Sequence, residues 1–329
     1  MVAIPRRRTR LLAILSMAAC TTLWAQTNLD DAAKAIKARN FTSAQATLEQ
    51  ALKATPDHAQ ALALMGELHL ANRAPEKAAE FLDKAIAQQP DKARYHLLRG
   101  HALGMRASQV NIMRAMTMAG DIRAAYEKAV ELDPRDRAVR FGLFSFYLVA
   151  PSLAGGGLDK AQAFAEQTVA LDGAASHQMK AQILQKQKKP AEAYAELKLA
   201  AAADPRLSGV NNNLGYLALE LKQVDAALAH FQKQAELEPD NANSFDSLAD
   251  GWLAKGKPEE AVVAYRKALA LNPRFPSSLR GLGKALEQAG RTQEAIAHYR
   301  HCLQVGNDNA LTAVVTDSKA RLEALGVKS

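Results

Sequence analysis

Small and large apolar residues return along this chain at a fixed interval, and a proline closes each interval. Pro56 and Pro90 stand 34 residues apart, and Pro205, Pro239 and Pro273 repeat that spacing twice more. Counting back from Pro273 meets Ala268, Tyr265, Ala261, Gly256, Trp252 and Leu248; counting back from Pro90 meets Ala85, Leu82, Ala78, Leu70 and Gly66 beside Met65. Small residues thus recur where two helices would cross closely, and large ones where a gap must be filled. In Glu236-Leu237-Glu238-Pro239 and Leu271-Asn272-Pro273 the proline ends a helix, because its ring removes the backbone N–H and confines the preceding residue to extended conformations. A constant 34-residue period of this kind predicts a solenoid of helix pairs.

Leu214-Gly215, Ala227, Phe231 and Pro239 form one instance of a finer pattern, and Leu282-Gly283, Gly290, Ala295 and Tyr299 another. These residues resemble the tetratricopeptide repeat (TPR), whose helix-turn-helix unit reads W-x-x-L-G-x-x-Y, then A-x-x-x-F, then P. The resemblance implies an all-α, right-handed α-solenoid over residues 27–326, with about eight units at 27–58, 59–92, 93–136, 137–173, 174–207, 208–241, 242–275 and 276–309. A last helix at about 310–325, stopped by Gly326, would cap the final apolar face with a polar exterior of Ser318, Lys319, Arg321 and Glu323.

The period breaks twice. Pro90 to Pro134 is 44 residues and Pro134 to Pro205 is 71, which places insertions near 104–121 and 150–158. The first carries Met105, Met113, Met116 and Met118; the second, Ala150-Pro151-Ser152-Leu153-Ala154-Gly155-Gly156-Gly157, is too rich in Gly and Pro to stay helical. Insertions in repeat arrays usually lie on one face and often serve binding. The segment Ala150 to Ala161 is also similar to an A-P-x-x-x-G-G-x-x-D-K-A pattern of a subgroup of exported repeat proteins.

Residues 1–25 stand outside the repeat pattern. Arg6, Arg7, Arg8 and Arg10 precede the apolar run Leu11 to Ala19, too short to span a bilayer and suited to a secretory signal. Cleavage after Ala25 would release a periplasmic protein beginning at Gln26. Alternatively, Met17-Ala18-Ala19-Cys20 resembles a lipobox and would leave Cys20 lipidated, an outer-membrane lipoprotein acting as a tethered assembly factor. The whole chain has 42 basic and 34 acidic side chains, net +8. The leader holds four of the arginines and no acid, so the remainder is only +4, and nucleic-acid binding loses most of its electrostatic support. Arg94, Arg99, Arg106, Arg114 and Arg123 read as a solvated face.

Catalytic, cofactor and metal readings find little. Histidines are scattered, Ser145 and Ser152 lack a nucleophile context, and Gly155-Gly156-Gly157 lacks the Lys-Ser/Thr ending of a phosphate loop. Cys302 takes the slot of Ala268 and Ala85, a small buried position. The methionine cluster raises Cu(I) or small-molecule binding at the first insertion as an alternative to simple packing. The expectation is therefore a non-enzymatic scaffold without cofactor.

In TPR arrays the first helix of each unit lines a concave surface through its fifth and ninth positions, which share a face. Here these are Gln178 and Gln182, Asn212 and Tyr216, Asp246 and Asp250, then Arg280 and Lys284, with Asn213 at a sixth position typical of peptide-holding repeats. The amide, acidic and basic rungs suit an extended peptide, whose backbone the amides would satisfy. Asp246 with Arg280, and Asp250 with Lys284, could equally pair between neighbouring repeats. Earlier units offer Ala63 and Glu67, Leu97 and His101, Phe141 and Ser145, a more apolar strip. The Lys and Asn residues of a carboxylate clamp do not recur, so recognition of a chain terminus is not expected.

Overall fold

The structure, a computed structural model, describes residues 28–306 and 312–327. The expected leader, with Cys20 and the Ala25–Gln26 junction, lies outside these residues. All regular structure among the described residues is helical. Helix α1 spans 28–37 and pairs with α2 (Phe41–Ala54), followed by α3 (Ala59–Ala71) with α4 (Pro75–Gln88), α5 (Ala93–Ser108) with α6 (Ile112–Leu132), and α7 (Arg137–Val149), then α8 (Leu158–Thr168). The succession continues with α9 (Gly173–Lys186) and α10 (Pro190–Ala203), α11 (Val210–Glu220) and α12 (Val224–Leu237), α13 (Ala242–Ala254) and α14 (Pro258–Leu271), α15 (Pro276–Gln288) and α16 (Thr292–Gly306), and closes with α17 (Thr312–Ala324). The chain forms two compact units, one ending at Phe164 and one beginning at Ala165.

The periodic prolines sit where steric exclusion demands. Pro56, Pro90, Pro134, Pro205, Pro239 and Pro273 each stand two residues beyond the end of α2, α4, α6, α10, α12 and α14. The intervening residue is extended, as at Asp204 (φ −141°, ψ 91°) and Asn272 (φ −141°, ψ 92°), the conformation a following proline imposes. Three second helices, α4, α10 and α14, begin on Pro75, Pro190 and Pro258, whose missing N–H is no loss in a first turn.

In six of the pairs the turn between the two helices places one residue in the left-handed region. This is Gly256 (φ 71°) and Gly290 (φ 77°) in two pairs, and Arg39, Arg73, Lys188 or Lys222 in four others. In the turn after α11, Gln223 N–H donates to Ala218 C=O at 2.8 Å and Lys222 N–H to Leu219 C=O at 2.9 Å. Lys257 and Gly256 repeat these bonds after α13, a Schellman closure that satisfies the last carbonyls of the helix.

Packing within each unit follows one device, a glycine of one helix receiving a large side chain of another. In the first unit a Cβ on Gly100 would stand 2.5 Å from the Tyr126 ring, and one on Gly142 would meet Leu97 and the same ring. In the second unit Gly215 faces Phe231, Gly281 faces Tyr265 and Gly283 faces Tyr299. Phe231 and Tyr299 are fully buried and Tyr265 is 1% exposed. Ala261, Ala268, Ala295 and Cys302 are buried alongside. The Cys302 thiol donates to Pro276 C=O at 3.5 Å, and burial pushes its pKa up, as befits a packing residue.

The two insertions take different forms. The first lengthens helices rather than adding a loop: α5 has 16 residues and α6 has 21, against 13 or 14 in the pairs α3–α4 and α13–α14. The second leaves helix at Ala150 and makes one 3-10 turn over Ser152–Ala154. It is closed by Gly156 N–H to Pro151 C=O (3.1 Å) and Gly157 N–H to Tyr147 C=O (2.8 Å). The closing helix α17 departs from expectation at one point. Ser318 is fully buried, not part of the polar exterior, because it shares the inward face with Leu322; Lys319 and Glu323 are exposed.

Replacing Gly215 with Ala is expected to destabilise the protein by about 1–3 kcal/mol through overpacking against Phe231. Gly173→Ala, where no atom lies within 4 Å of the added carbon, should change stability by no more than about 0.5 kcal/mol. The midpoints of urea unfolding followed by circular dichroism check both.

Candidate functional site

In the second unit the first helices of successive pairs touch in order, α11 to α13, α13 to α15 and α15 to α17. The polar rungs sit on these helices and on α9. Gln178 and Gln182 on α9 are half-buried. On α11, Asn213 is exposed, while the Asn212 Oδ1 is buried and has no hydrogen-bond partner. Tyr216 is 40% exposed, its ring edge-on to Phe231 at 5.0 Å between centroids. Its hydroxyl lies 3.0 Å from both Ser247 Oγ and Asp250 Oδ2.

The centre of the face is the acidic pair on α13. Asp250 accepts from Tyr216 on one oxygen and from the buried Tyr265 hydroxyl on the other. Burial and the Asp250 charge push both phenols far up, so they remain protonated donors across the working range. Asp246 is 6% exposed and accepts from Ser278 at 2.5 Å. Its carboxyl is pushed up to about 6, chiefly by burial, with the Asp250 charge adding to it and the Ser278 hydrogen bond and Arg280 charge opposing.

The cations of the next rung form no ion pair with these acids. Arg280 Nε lies 3.8 Å and Lys284 Nζ 2.7 Å from Asp317 Oδ2 on α17. The pairings Asp246–Arg280 and Asp250–Lys284 are therefore not formed: both cations, one turn apart on α15, converge on the carboxylate that the closing helix presents. The same helix sends Arg321 to Glu287 at 2.6 Å. Among the described residues neither Asp246 nor Asp250 has an ion-pair partner.

In the first unit the expected apolar strip is only partly apolar. Ala63 and Leu97 are buried, Phe141 lies edge-on to Phe144, and His101 edge-on to Tyr126. Glu67 pairs with Arg94 at 2.8 Å. Beside them opens a cavity of about 570 Å³ whose lining includes Lys37, Glu67, Asp91, Arg94, Asp133 and Asp136. Counting fifth and ninth positions missed Asp91, Asp133 and Asp136 because they stand in or next to the turns between pairs. Of the three, Asp136 had a signal as an acid at a helix start: it accepts from Val139 N–H at 3.1 Å as the cap of α7.

The methionines do not converge. Met113 is 72% exposed, Met118 packs against the core of the first unit, and Met116 faces a separate apolar pocket. Three thioethers in three environments do not build a shared soft-metal site; Met118 fills a gap in the core, and Met113 is solvated.

Tetratricopeptide-repeat family models match residues 35–102, 208–241 and 248–304, so the chain carries TPR repeats. No curated protein sequence matches it. The solved APC/C hetero-tetramer Cut9–Hcn1 matches with a TM-score of 0.52 and 16% identity over 85% of this chain and 52% of that one. TTC0263, a thermophilic TPR protein of Thermus thermophilus, matches with a TM-score of 0.45 and 18% identity over 70% and 99%. MamA of Desulfovibrio magneticus RS-1 gives 0.44 and 14% over 53% and 96%. The likeness to Cut9–Hcn1 shows the all-helical repeat fold that the proline spacing predicts.

Asp246 generates a pH dependence with a defined sign. Its folded pKa of about 6 lies above the unfolded value near 3.8, so the folded state binds more protons between those limits and stability falls as pH rises through them. Asp246→Asn should flatten this slope and raise stability at pH 7 by on the order of 2–3 kcal/mol. Urea unfolding of both proteins from pH 4 to 7.5 measures it; parallel slopes would remove Asp246 as the cause.

Proposed function

We propose that the protein is a non-enzymatic, exported scaffold that holds an extended segment of a protein partner along the first-helix face of its second unit. A basic side chain of that segment would sit at Asp246 and Asp250. The observation that carries this reading is the pair of neighbouring carboxylates left without cationic partners while Arg280 and Lys284 are drawn to Asp317. A ligand cation would supply the missing charge and relieve the repulsion that helps raise the Asp246 pKa.

The amide rungs complete the fit. An extended peptide brings one donor and one acceptor per residue, and these need partners when water leaves. Asn213 on α11, with Gln178 and Gln182 on α9, offers side-chain amides on first helices of the second unit. TPR repeats are protein-interaction modules, which agrees with this use of the face. The near-neutral charge outside the leader argues against nucleic acid as the partner.

Peptides of ten to twelve residues, identical except for Lys, Ala or Glu at the centre, test the site by fluorescence anisotropy. The Lys peptide is expected to bind about ten-fold more tightly than the Ala peptide. Asp250→Asn, which keeps an acceptor for Tyr216 and Tyr265, should erase that difference. Equal binding of all three peptides to wild type would reject the assignment.

Export has its own check. Mass spectrometry of the mature N-terminus is expected to find Gln26, whereas a diacylated Cys20 would make the scaffold membrane-tethered and a retained Met1 would reject export.

A further inference from the structure

Both interruptions of the repeat period meet in the first unit, around one pocket of about 440 Å³. The lengthened α5–α6 pair supplies Gly104, Ala107, Ile112 and Met116 to its wall, and the end of α7 with the connector supplies Val149, Pro151 and Ala154. That volume lies within the range of small-molecule sites. No Lys, Arg, His, Asp or Glu lines the pocket. Ile112 and Val149 line it while remaining 65% and 75% exposed, so apolar surface is left uncovered at its edge.

The least exposed of the hydroxyl-bearing residues that line it is Tyr126. Tyr126 is only 7% exposed, its ring fixed between Gly100 and Gly142. Tyr126 lines the pocket, and its hydroxyl makes no hydrogen bond to any described residue. There is room beside it: at Gly104 an added Cβ would find only that hydroxyl within 4 Å, at 3.9 Å. The Ser108 hydroxyl, by contrast, already donates to Met105 C=O at 2.7 Å. The ring is buried while the hydroxyl is free to bond, so an oxygen that entered the pocket beside Gly104 would find a donor there.

We infer that the two insertions build a binding pocket for an uncharged aliphatic molecule carrying a single hydrogen-bonding oxygen, which Tyr126 receives. The lining selects against the alternatives. An ionised head group would be buried without a counter-charge, and a peptide would bring a row of backbone donors and acceptors to a wall whose side-chain hydroxyls are the Tyr126 phenol, Ser108 and the exposed Ser145. An alkyl chain with a hydroxyl or ester oxygen meets both conditions. This site is independent of the acidic face of the second unit and does not require it.

Straight-chain 1-alkanols from octanol to dodecanol, each compared with the alkanoate of equal length at pH 7.5 and below its critical micelle concentration, provide the test by calorimetric titration of the full chain. Saturable 1:1 binding is expected, tightening by about four-fold per methylene until the pocket is full. The alkanol should bind at least about ten-fold more tightly than the ionised alkanoate. Tyr126→Phe keeps the ring and is expected to weaken binding by about five-fold. Gly104→Leu fills the space beside the hydroxyl and favours helix; it should abolish binding while the circular dichroism spectrum and melting temperature hold. Absence of saturable alkanol binding, equal affinity for alkanoates, or full affinity in Tyr126→Phe would each overturn the inference.

Discussion

Much of the packing among the described helices depends on rings and leucines reaching glycines across helix pairs. A glycine on one helix lets the backbone of its neighbour approach closely enough for Tyr126, Phe231, Tyr265 or Tyr299 to lie flat in the gap, and the dispersion contacts so gained hold the pairs together. Several of these side chains serve two pairs at once. Tyr126 touches both Gly100 and Gly142, and Phe231 both Gly215 and Gly251. Neighbouring repeats are thereby coupled through a shared side chain, the structural form of the nearest-neighbour energetics expected of a solenoid.

The electrostatic layout follows from how the second unit ends. A repeat array must cover its last apolar face, and α17 does so with Leu322 inward and Lys319 and Glu323 outward. Because α17 also carries Asp317, it draws Arg280 and Lys284 to itself. The acids one repeat earlier are consequently left to hydroxyls: Ser278 for Asp246, Tyr216 and Tyr265 for Asp250. Hydroxyls satisfy hydrogen bonds without neutralising charge, so the face keeps a local negative potential inside a chain of net positive charge.

The fold was legible because its determinants are local. A proline stops a helix through its own ring, and a 34-residue beat of such stops needs no tertiary knowledge to read. The ladder of first-helix positions was legible for the same reason, since residues four apart share a helix face. What could not be read was which neighbour each charge would choose. The repeat period set Arg280 one unit after Asp246 and said nothing of Asp317, and only the packing of α17 decided between them. Ser318 failed similarly: in a helix with polar residues on most sides, composition does not say which side turns inward. The meeting of the two insertions at one pocket was equally hidden, because residues 104–116 and 149–154 are joined by the length of α6 and by the return of α7.

Tyr126 holds two offices in the first unit, and they constrain its history differently. The ring is a strut, wedged against two glycines, and any residue without a six-membered ring of that size would leave a hole between α5 and α7. The hydroxyl takes no part in that support. Substitution at this position is thus confined to tyrosine and phenylalanine, and the two differ by one oxygen atom. A lineage can drop or regain the polar point of the pocket in a single step without disturbing the repeats around it, so chemistry at this wall can drift while the architecture stays fixed.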